Sequence, residues 1–407
     1  MKKALSIFVI LVCSGLAKAQ YTETVLHVFV SADGPSPLLR DKSGNLFGTI
    51  ESSGGEFYEL PAGPPPRRIR IFFDFFNRFK AGNPSFRLKQ DLAGNFYGVT
   101  LMGGTGKRAN GIIYKVSASP NFVPTVLHVF NCSNPGDSCG PSSPLARDPA
   151  TGDLYGSANS APEGNGILYK LDTSGILTVV YSFTGGANGY SPSGDFVIDS
   201  AWNFYGTAAG GDAVACPPFT GEPFTLGCGV VYKVDATATE TILHTFTGPD
   251  GTGLFGLVTD AAGNLYGSAV LGGDGTTACP GSTFQRPGCG VVFKIDTLGN
   301  FCVLHSFTGG SDGALPNAIV VDPSGNVYGS TVAGGSLTCE PGVTPPGCGT
   351  AFKIDTSGNF SVLFTFTGGA VGAGPGALTL DRGSGNLFGS AFNLDTSRLF
   401  AFRLSPP

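Results

Sequence analysis

The sequence has 407 residues, of which 41% are hydrophobic and only 13% are charged. So little charge beside so much apolar surface excludes a chain that stays unfolded in water. The formal net charge of −5 disfavours binding to nucleic acid, which requires a basic surface. One Trp and two Met, against 63 Gly, 32 Phe and 12 Tyr, indicate strands joined by many turns and exclude a mainly helical protein.

The chain begins with a predicted signal peptide. An apolar run over residues 4–12 follows two lysines, and residues 17–19, Ala-Lys-Ala, form the pattern that signal peptidase recognises. We therefore expect residues 1–19 to be removed and residues 20–407 to form one exported domain, extracellular, periplasmic or attached to the cell envelope. Cys13 as a lipoprotein acceptor is the alternative. No later stretch reaches the ~18 apolar residues that a transmembrane helix needs.

A basic cluster surrounds the aromatic run at residues 71–76. Its members are Arg67, Arg68, Arg70, Arg78, Lys80, Arg87 and Lys89. We interpret these cations as protecting an exposed strand against edge-to-edge pairing. A patch for an anionic ligand is the alternative.

A motif recurs along the chain: Asp, two spacers, Gly-Asn, an apolar residue, an aromatic residue and Gly. Its aromatic-glycine end occurs seven times, at spacings of 50 to 62 residues, and the third, fourth and seventh units vary the turn before it. The closing pairs are Phe47-Gly48, Tyr97-Gly98, Tyr155-Gly156, Tyr205-Gly206, Tyr266-Gly267, Tyr328-Gly329 and Phe388-Gly389. Such a long, regular period is the signature of a repeat architecture.

Each unit contains four strand-like runs, which in the sixth unit cover residues 315–321, 327–332, 350–354 and 360–366. The first and third turns start with Asp and have Gly in the fourth position, as in a type I turn closed by a glycine with positive φ. Each unit is therefore predicted to be a four-stranded antiparallel meander. Seven such sheets can bury their faces by packing around an axis.

The predicted fold is all-β, a seven-bladed β-propeller of four-stranded antiparallel blades. If the run before each first Asp is the innermost strand, the mature chain begins with an outer strand and ends with a third strand. We therefore expect residues 24–29 to pair with residues 399–404 and close the last blade. This pairing would remove an open sheet edge.

The units resemble the GloVer tandem repeat of secreted bacterial proteins. The resemblance rests on residues 303–310, Val-Leu-His-Ser-Phe-Thr-Gly-Gly, followed by residues 322–329 and 349–355. It covers nearly all of the mature chain and implies a repeat protein without a defined activity. A weaker resemblance to NHL-type propellers supports the same strand order.

The repeated polar residues are predicted to build blades and not to catalyse. His27, His128, His244 and His305 share one outer-strand position with Tyr181 and Phe364, so that position selects a flat ring. The first turn aspartates are predicted to cap backbone N–H groups. They are Asp41, Asp91, Asp148, Asp199, Asp260, Asp322 and Asp381. No catalytic residue and no resident metal or other cofactor is predicted.

The connections from outer to inner strands carry a candidate ligand rim. Its members are Asp33, Asp137, Asn188, Asp250 and Asp312. A turn role is the first interpretation of these residues. If they converge at one mouth of the axial channel, they could hold Ca²⁺ or a hydroxyl-rich ligand.

Eight cysteines fall into close pairs, each within one loop. The predicted disulfides are Cys132–Cys139, Cys216–Cys228, Cys279–Cys289 and Cys339–Cys348. Local bridges are the simplest of the 105 arrangements that eight cysteines allow, and export permits them. Cys302 is left over and is expected to pack as a small apolar residue. An intermolecular bridge is its alternative.

Trp202 stands where the other units have the turn glycine. A bulky residue at positive φ is costly, so we expect this turn to change its form. Packing of the indole on the adjacent blade is preferred to stacking on a sugar.

Three functions remain open. The first is a noncatalytic exported scaffold that binds a glycan or a protein through the face with the disulfide loops. The second is an enzyme acting on polysaccharide or lactone, with carboxylates at the channel mouth. The third is a structural cell-envelope protein.

Overall fold

The computed structural model describes most of the chain after the predicted signal peptide. The described residues are 20–29, 36–50, 54–104, 109–131, 140–158, 164–211, 216, 227–273, 279, 288–336, 339, 346–393 and 398–407. The predicted signal peptide, Asp33, Asp137, Cys132 and Cys139 lie outside them.

The described strands form seven antiparallel sheets arranged in a ring, which confirms the predicted seven-bladed propeller. Each sheet pairs its strands in the order inner, second, third, outer. In that order the strands of blade 1 are Leu39–Arg40, Leu46–Ile50, Glu56–Leu60 and Arg70–Asp74; of blade 2, Ala81–Gln90, Phe96–Gly103, Ala109–Val116 and Pro124–Asn131; of blade 3, Ala146–Arg147, Leu154–Ala158, Ile167–Leu171 and Leu177–Ser182; and of blade 4, Tyr190–Ile198, Phe204–Ala209, Val230–Val234 and Glu240–Thr245.

Blades 5 and 6 each have an inner strand in two short pieces, where the sequence predicted one continuous run. Blade 5 contains Thr252–Leu254 with Val258–Thr259, then Leu265–Leu271, Val291–Ile295 and Phe301–Ser306; blade 6 contains Ala314–Pro316 with Val320–Val321, then Val327–Ala333, Thr350–Ile354 and Phe360–Thr365; blade 7 contains Thr379–Leu380, Leu387–Asn393, Arg398–Ser405 and the N-terminal strand Thr22–Val28. The helices described are one α-helix, Phe75–Phe79, and two 3₁₀ turns, Gly186–Asn188 and Gly369–Val371.

The aromatic-glycine motif is explained by packing inside each blade. Each motif glycine lies opposite an aromatic residue of the third strand, and that ring covers the glycine. A Cβ added to any of the seven would stand 2.3 to 2.7 Å from the nearest ring or hydroxyl atom, closer than atoms can approach. The covering residues are Tyr58, Tyr114, Tyr169, Tyr232, Phe293, Phe352 and Phe402.

The same third-strand rings join neighbouring blades. Each contacts a phenylalanine from the preceding blade at a centroid distance of 4.7 to 5.5 Å. The pairs are Phe29–Tyr58, Phe75–Tyr114, Phe130–Tyr169, Phe183–Tyr232, Phe246–Phe293, Phe307–Phe352 and Phe366–Phe402. Apolar burial and aromatic contact therefore repeat at every blade interface around the ring.

The ring closes through the N-terminal strand, as predicted. Thr24 pairs with Arg403 and Val28 with Phe400, and the Phe29 backbone N–H donates to the Leu399 carbonyl at 2.8 Å. Phe29 then packs against blade 1. The N-terminal strand thus covers the edge of the third strand of blade 7 and contributes to the blade 7–blade 1 interface.

Glu23, in this closing strand, makes stability depend on pH. Burial raises the pKa of Glu23 to about 8 from an ordinary value of 4.5. The free energy of unfolding therefore falls as pH rises from 4.5 to about 8, because Glu23 is ionised in the unfolded chain but still protonated in the folded one. We expect Glu23→Gln to raise the free energy of unfolding by about 2 kcal/mol at pH 7.5, allowing for partial solvation, and to leave it nearly unchanged at pH 4.

Urea unfolding of both proteins between pH 4 and 8 measures this effect. Glu240 occupies the equivalent position in blade 4, but it accepts a hydrogen bond from the Tyr181 hydroxyl at 2.9 Å. Burial raises the pKa of Glu240, and that hydrogen bond opposes the rise. Glu240→Gln is therefore expected to give a smaller pH-dependent gain. Parallel stability curves for wild type and Glu23→Gln would refute the assignment.

Candidate functional site

The two ends of the propeller differ in construction. The first turn of every blade begins with Asp, as does the third turn of blades 3 to 6, and the first and third turns lie at one end. The disulfides between the second and third strands of blades 4, 5 and 6, and the described connections from outer to inner strands, lie at the other. We call these the Asp-turn end and the disulfide end. Strand alternation alone produces this separation.

The turn aspartates are engaged in hydrogen bonds. In five blades the first Asp accepts from the backbone N–H and side-chain amide of the Asn four residues later. Four of them also accept from the motif tyrosine, as Asp199 does from Tyr205 at 3.1 Å. Burial raises the pKa of Asp199, but the bonds from Asn203 and Tyr205 outweigh it and hold that pKa below its usual value. Such a carboxylate stays ionised and does not act as a general acid.

Three members of the predicted ligand rim are described, and each binds its own loop. Asp250 accepts from the Thr247 backbone N–H at 2.7 Å and lies 2.8 Å from His244 Nε2. Asp312 makes the equivalent contacts with Thr308 and His305, at 3.0 and 3.1 Å.

The third, Asn188, donates to Thr184 Oγ1 at 3.0 Å. None of Asn188, Asp250 and Asp312 is among the described residues that line the axial cavity. Their contacts agree with the turn role.

The outer-strand histidines pack as flat rings. His244 stacks on Phe301 of the next blade at 3.6 Å, and His305 stacks on Phe360 at 3.7 Å. His27 approaches the Arg67 carbonyl through Nδ1 at 2.8 Å. Three disulfides join Cys216 to Cys228, Cys279 to Cys289 and Cys339 to Cys348, in the loops of blades 4, 5 and 6.

The expectation for Cys302 is wrong. This cysteine is free and exposed, on the outer edge strand Phe301–Ser306 of blade 5, where the adjacent Val303 is exposed as well. Among the described residues, no three His, Cys, Asp or Glu side chains come together as metal ligands, and no helix is long and apolar enough to cross a bilayer.

The structure separates the basic cluster that surrounds residues 71–76. Arg70 lies on the outer strand of blade 1 and bonds to Glu59 at 3.3 Å. Arg87 and Lys89 lie instead on the inner strand of blade 2 and face the axis. Strand direction and blade boundaries caused this separation, and neither could be seen from proximity in sequence.

An axial cavity of about 630 Å³ lies among the inner strands of blades 2 to 5 and reaches the Asp-turn end. Its volume is in the range of ligand-binding cavities. Its apolar lining residues include Phe196, Ile198 and Leu257. The lining also includes the charged residues Arg87, Lys89, Arg147, Arg382 and Asp195 and the indole of Trp202.

Two arginines that line this cavity donate hydrogen bonds to backbone carbonyls of other blades. Arg87 donates from Nη2 to the Leu378 carbonyl of blade 7 at 3.3 Å, and Arg382 donates to the Val321 carbonyl at 3.5 Å. The Nε atoms of Arg87 and Arg147 are buried and have no hydrogen-bond partner among the described residues. These two atoms have almost no accessible surface, so a ligand would pair with them only after the arginine side chains turn toward the cavity.

Lys89 is accessible from the cavity but has protein on most sides. Burial and the nearby Arg87 lower the pKa of its amine, and the Asp195 carboxylate opposes this effect. Sequence analysis did not predict this site, because the residue types at the inner-strand positions of Arg87, Lys89 and Asp195 differ from blade to blade.

Trp202 lies at the mouth of the axial cavity. The expectation that its turn changes form is wrong: Trp202 has φ +63°, and its N–H donates to the Asp199 carbonyl at 3.1 Å, as the glycines do in other blades. The remaining hydrogen bonds of the turn hold the tryptophan in this conformation. Its ring contacts Tyr155 of blade 3 at 5.3 Å, and 37% of the residue is exposed.

A comparison with known protein families shows to which family this chain belongs. The model of the Gloeobacter/Verrucomicrobia repeat matches residues 13–217 and 219–402. The chain belongs to the Gloeobacter/Verrucomicrobia repeat family. This confirms the resemblance of the repeat units. No curated protein matches the sequence.

Solved structures share the fold at low sequence identity. Virginiamycin B lyase from Staphylococcus aureus has a TM-score of 0.58 and 11% identity, covering 95% of this chain and all of that one. A catalytically inactive variant of that lyase with quinupristin gives the same values. A prolyl endopeptidase structure has a TM-score of 0.49 and 11% identity, covering 95% of this chain and 50% of that one. At such identity the likeness to virginiamycin B lyase shows the propeller fold alone.

Proposed function

We propose that this member of the repeat family is an exported, noncatalytic scaffold that binds a glycan or a protein through its disulfide end. The observation that carries the proposal is the row of three disulfides in the loops of blades 4, 5 and 6. Each closes a loop with a sequence separation of 9 to 12 residues. Recognition in such folds usually lies on loops that a rigid scaffold positions.

The state of the carboxylates also favours binding over catalysis. A glycosidase needs two carboxyl groups about 5 to 10 Å apart, one of them protonated at working pH. Asp148 and Asp199 line the axial cavity, but hydrogen bonds in their turns lower the pKa of both. The four histidines of the sequence repeat in one outer-strand position, away from the axis, so they offer no partner for a nucleophile.

Glycan-array binding of residues 20–407, with and without Ca²⁺, tests the proposal. We expect binding by the oxidised protein and a loss of about tenfold or more in Cys279→Ser/Cys289→Ser, because removing a short-loop disulfide releases the loop that it holds. Cys302→Ser is the matched control, since Cys302 is free and lies on an outer strand. Blank arrays together with no bound extracellular protein, or undiminished binding by the double variant, would contradict the proposal.

A further inference from the structure

We propose that the axial cavity is a second binding site, open at the Asp-turn end, for a saccharide that carries a carboxylate. The proposal goes beyond the recognition surface at the disulfide end and does not depend on it. It rests on the lining of the cavity, on the unpaired Nε atoms of two arginines that line it and on the conformation of Trp202.

The first argument is charge. Four cations, Arg87, Lys89, Arg147 and Arg382, line the cavity. Of its three carboxylates, Asp148 and Asp199 already accept hydrogen bonds from their own turns. Asp195 is the carboxylate that interacts with Lys89. The lining thus has four basic against three acidic side chains, and this excess of one cation favours an anionic ligand.

The second argument is hydrogen bonding. Buried donors are nearly always paired in folded proteins, and an unpaired one is unfavourable. The buried Nε atoms of Arg87 and Arg147 lack a partner among the described residues. Both arginines lie on inner strands: Arg147 pairs with Leu154, and Arg87 lies in the irregular stretch between the paired residues Ser85 and Lys89. A carboxylate is the group that a planar guanidinium binds best, because it can accept two parallel hydrogen bonds.

The third argument is the strained tryptophan. The six glycines at the same turn position have φ between 72° and 90°, a region that side chains rarely adopt. Those glycines are Gly44, Gly94, Gly152, Gly263, Gly325 and Gly385. A tryptophan there is unfavourable by roughly 1 kcal/mol, and backbone strain is concentrated at functional sites.

Trp202 lies beside the cavity and is partly exposed. A flat, exposed aromatic face at the mouth of a cavity suits the apolar face of a sugar ring, while the polar end enters. The Trp202 face and the arginines together suit a ligand that has a sugar ring at one end and a carboxylate at the other. An acidic sugar unit has this character.

Isothermal titration of residues 20–407 with trigalacturonate tests the site, and its methyl ester is the neutral analogue. We expect the acid to bind at least tenfold more tightly than the ester, because the ester removes the charge that the guanidinium groups would bind. Glucuronate oligosaccharides are titrated in parallel. If no acidic oligosaccharide binds at millimolar concentration, or if acid and ester bind equally, the proposal is overturned.

Two variants locate the binding. Arg87→Gln removes a cavity cation and should weaken acid binding about tenfold. Trp202→Gly inserts the residue that the other turns use, so the fold is retained, and it should weaken binding of both the acid and the ester. Lys294→Gln is the matched control, because Lys294 lies over the Tyr266 ring, outside the cavity. If Arg87→Gln and Trp202→Gly fold normally and bind as wild type does, any site for acidic sugars lies elsewhere and the proposal fails.

Discussion

Gly267→Ala is expected to lower the free energy of unfolding by about 3 kcal/mol, although it adds a single methyl group. The added Cβ would stand 2.3 Å from Phe293 Cζ and 2.9 Å from two further ring carbons. Phe293 is fully buried and contacts Phe246 of the preceding blade. Its ring cannot retreat without disturbing the interface between two blades. Urea unfolding followed by far-UV circular dichroism measures the change.

Gly383→Ala is the matched control for this experiment. Its φ is outside the left-handed region, and the nearest atom to a new Cβ would be Asp381 Oδ1 at 3.5 Å, an ordinary contact. We expect a change within about 0.5 kcal/mol. Equal stability of Gly267→Ala and Gly383→Ala would show that the third-strand rings do not hold the motif glycines.

Phe29→Ala is expected to lower the free energy of unfolding by about 3 to 5 kcal/mol. Phe29 is 2% exposed, and its ring meets Tyr58 of blade 1 at 5.5 Å. The truncation leaves a cavity at the interface that closes the ring. Chemical denaturation of residues 20–407 and of the variant measures the loss.

Val28→Ala is the control in the same strand, because Val28 is 46% exposed. A cost under about 1 kcal/mol is expected. Removing residues 20–29 altogether should also promote self-association, because Arg398–Ser405 then becomes an uncovered edge. A deletion variant that remains monomeric and as stable as the full domain would refute the role of the N-terminal strand.

The fold could be predicted from the sequence because the same structural unit recurs seven times. The aromatic-glycine pairs, the Asp-to-Asn turns and the unit order were each visible as repeats, and together they predicted blade number, strand order and closure. The physical basis is local: the period of two in a strand, the turn chemistry of Asp and Gly, and the requirement that each sheet bury both faces.

The candidate site could not be predicted from the repeats. Arg87, Lys89 and Asp195 break the repeat, so they carried no periodic signal, and Arg87 and Lys89 were assigned to the wrong surface with the neighbouring basic residues. Trp202 was recognised as unusual, but its turn was expected to change. Only the structure shows that the other hydrogen bonds of the turn keep its form.

The sequence by itself determined the architecture of this protein: seven equivalent units, the family to which they belong and the strand that closes the ring. The tertiary structure decided which third-strand ring covers which glycine, which phenylalanine joins each pair of blades, and which unrepeated charges meet at the axis. Periodic local interactions depend on residues near one another in the chain, whereas the axial cavity joins residues from blades 2 to 5 and 7 whose proximity arises only when the ring closes.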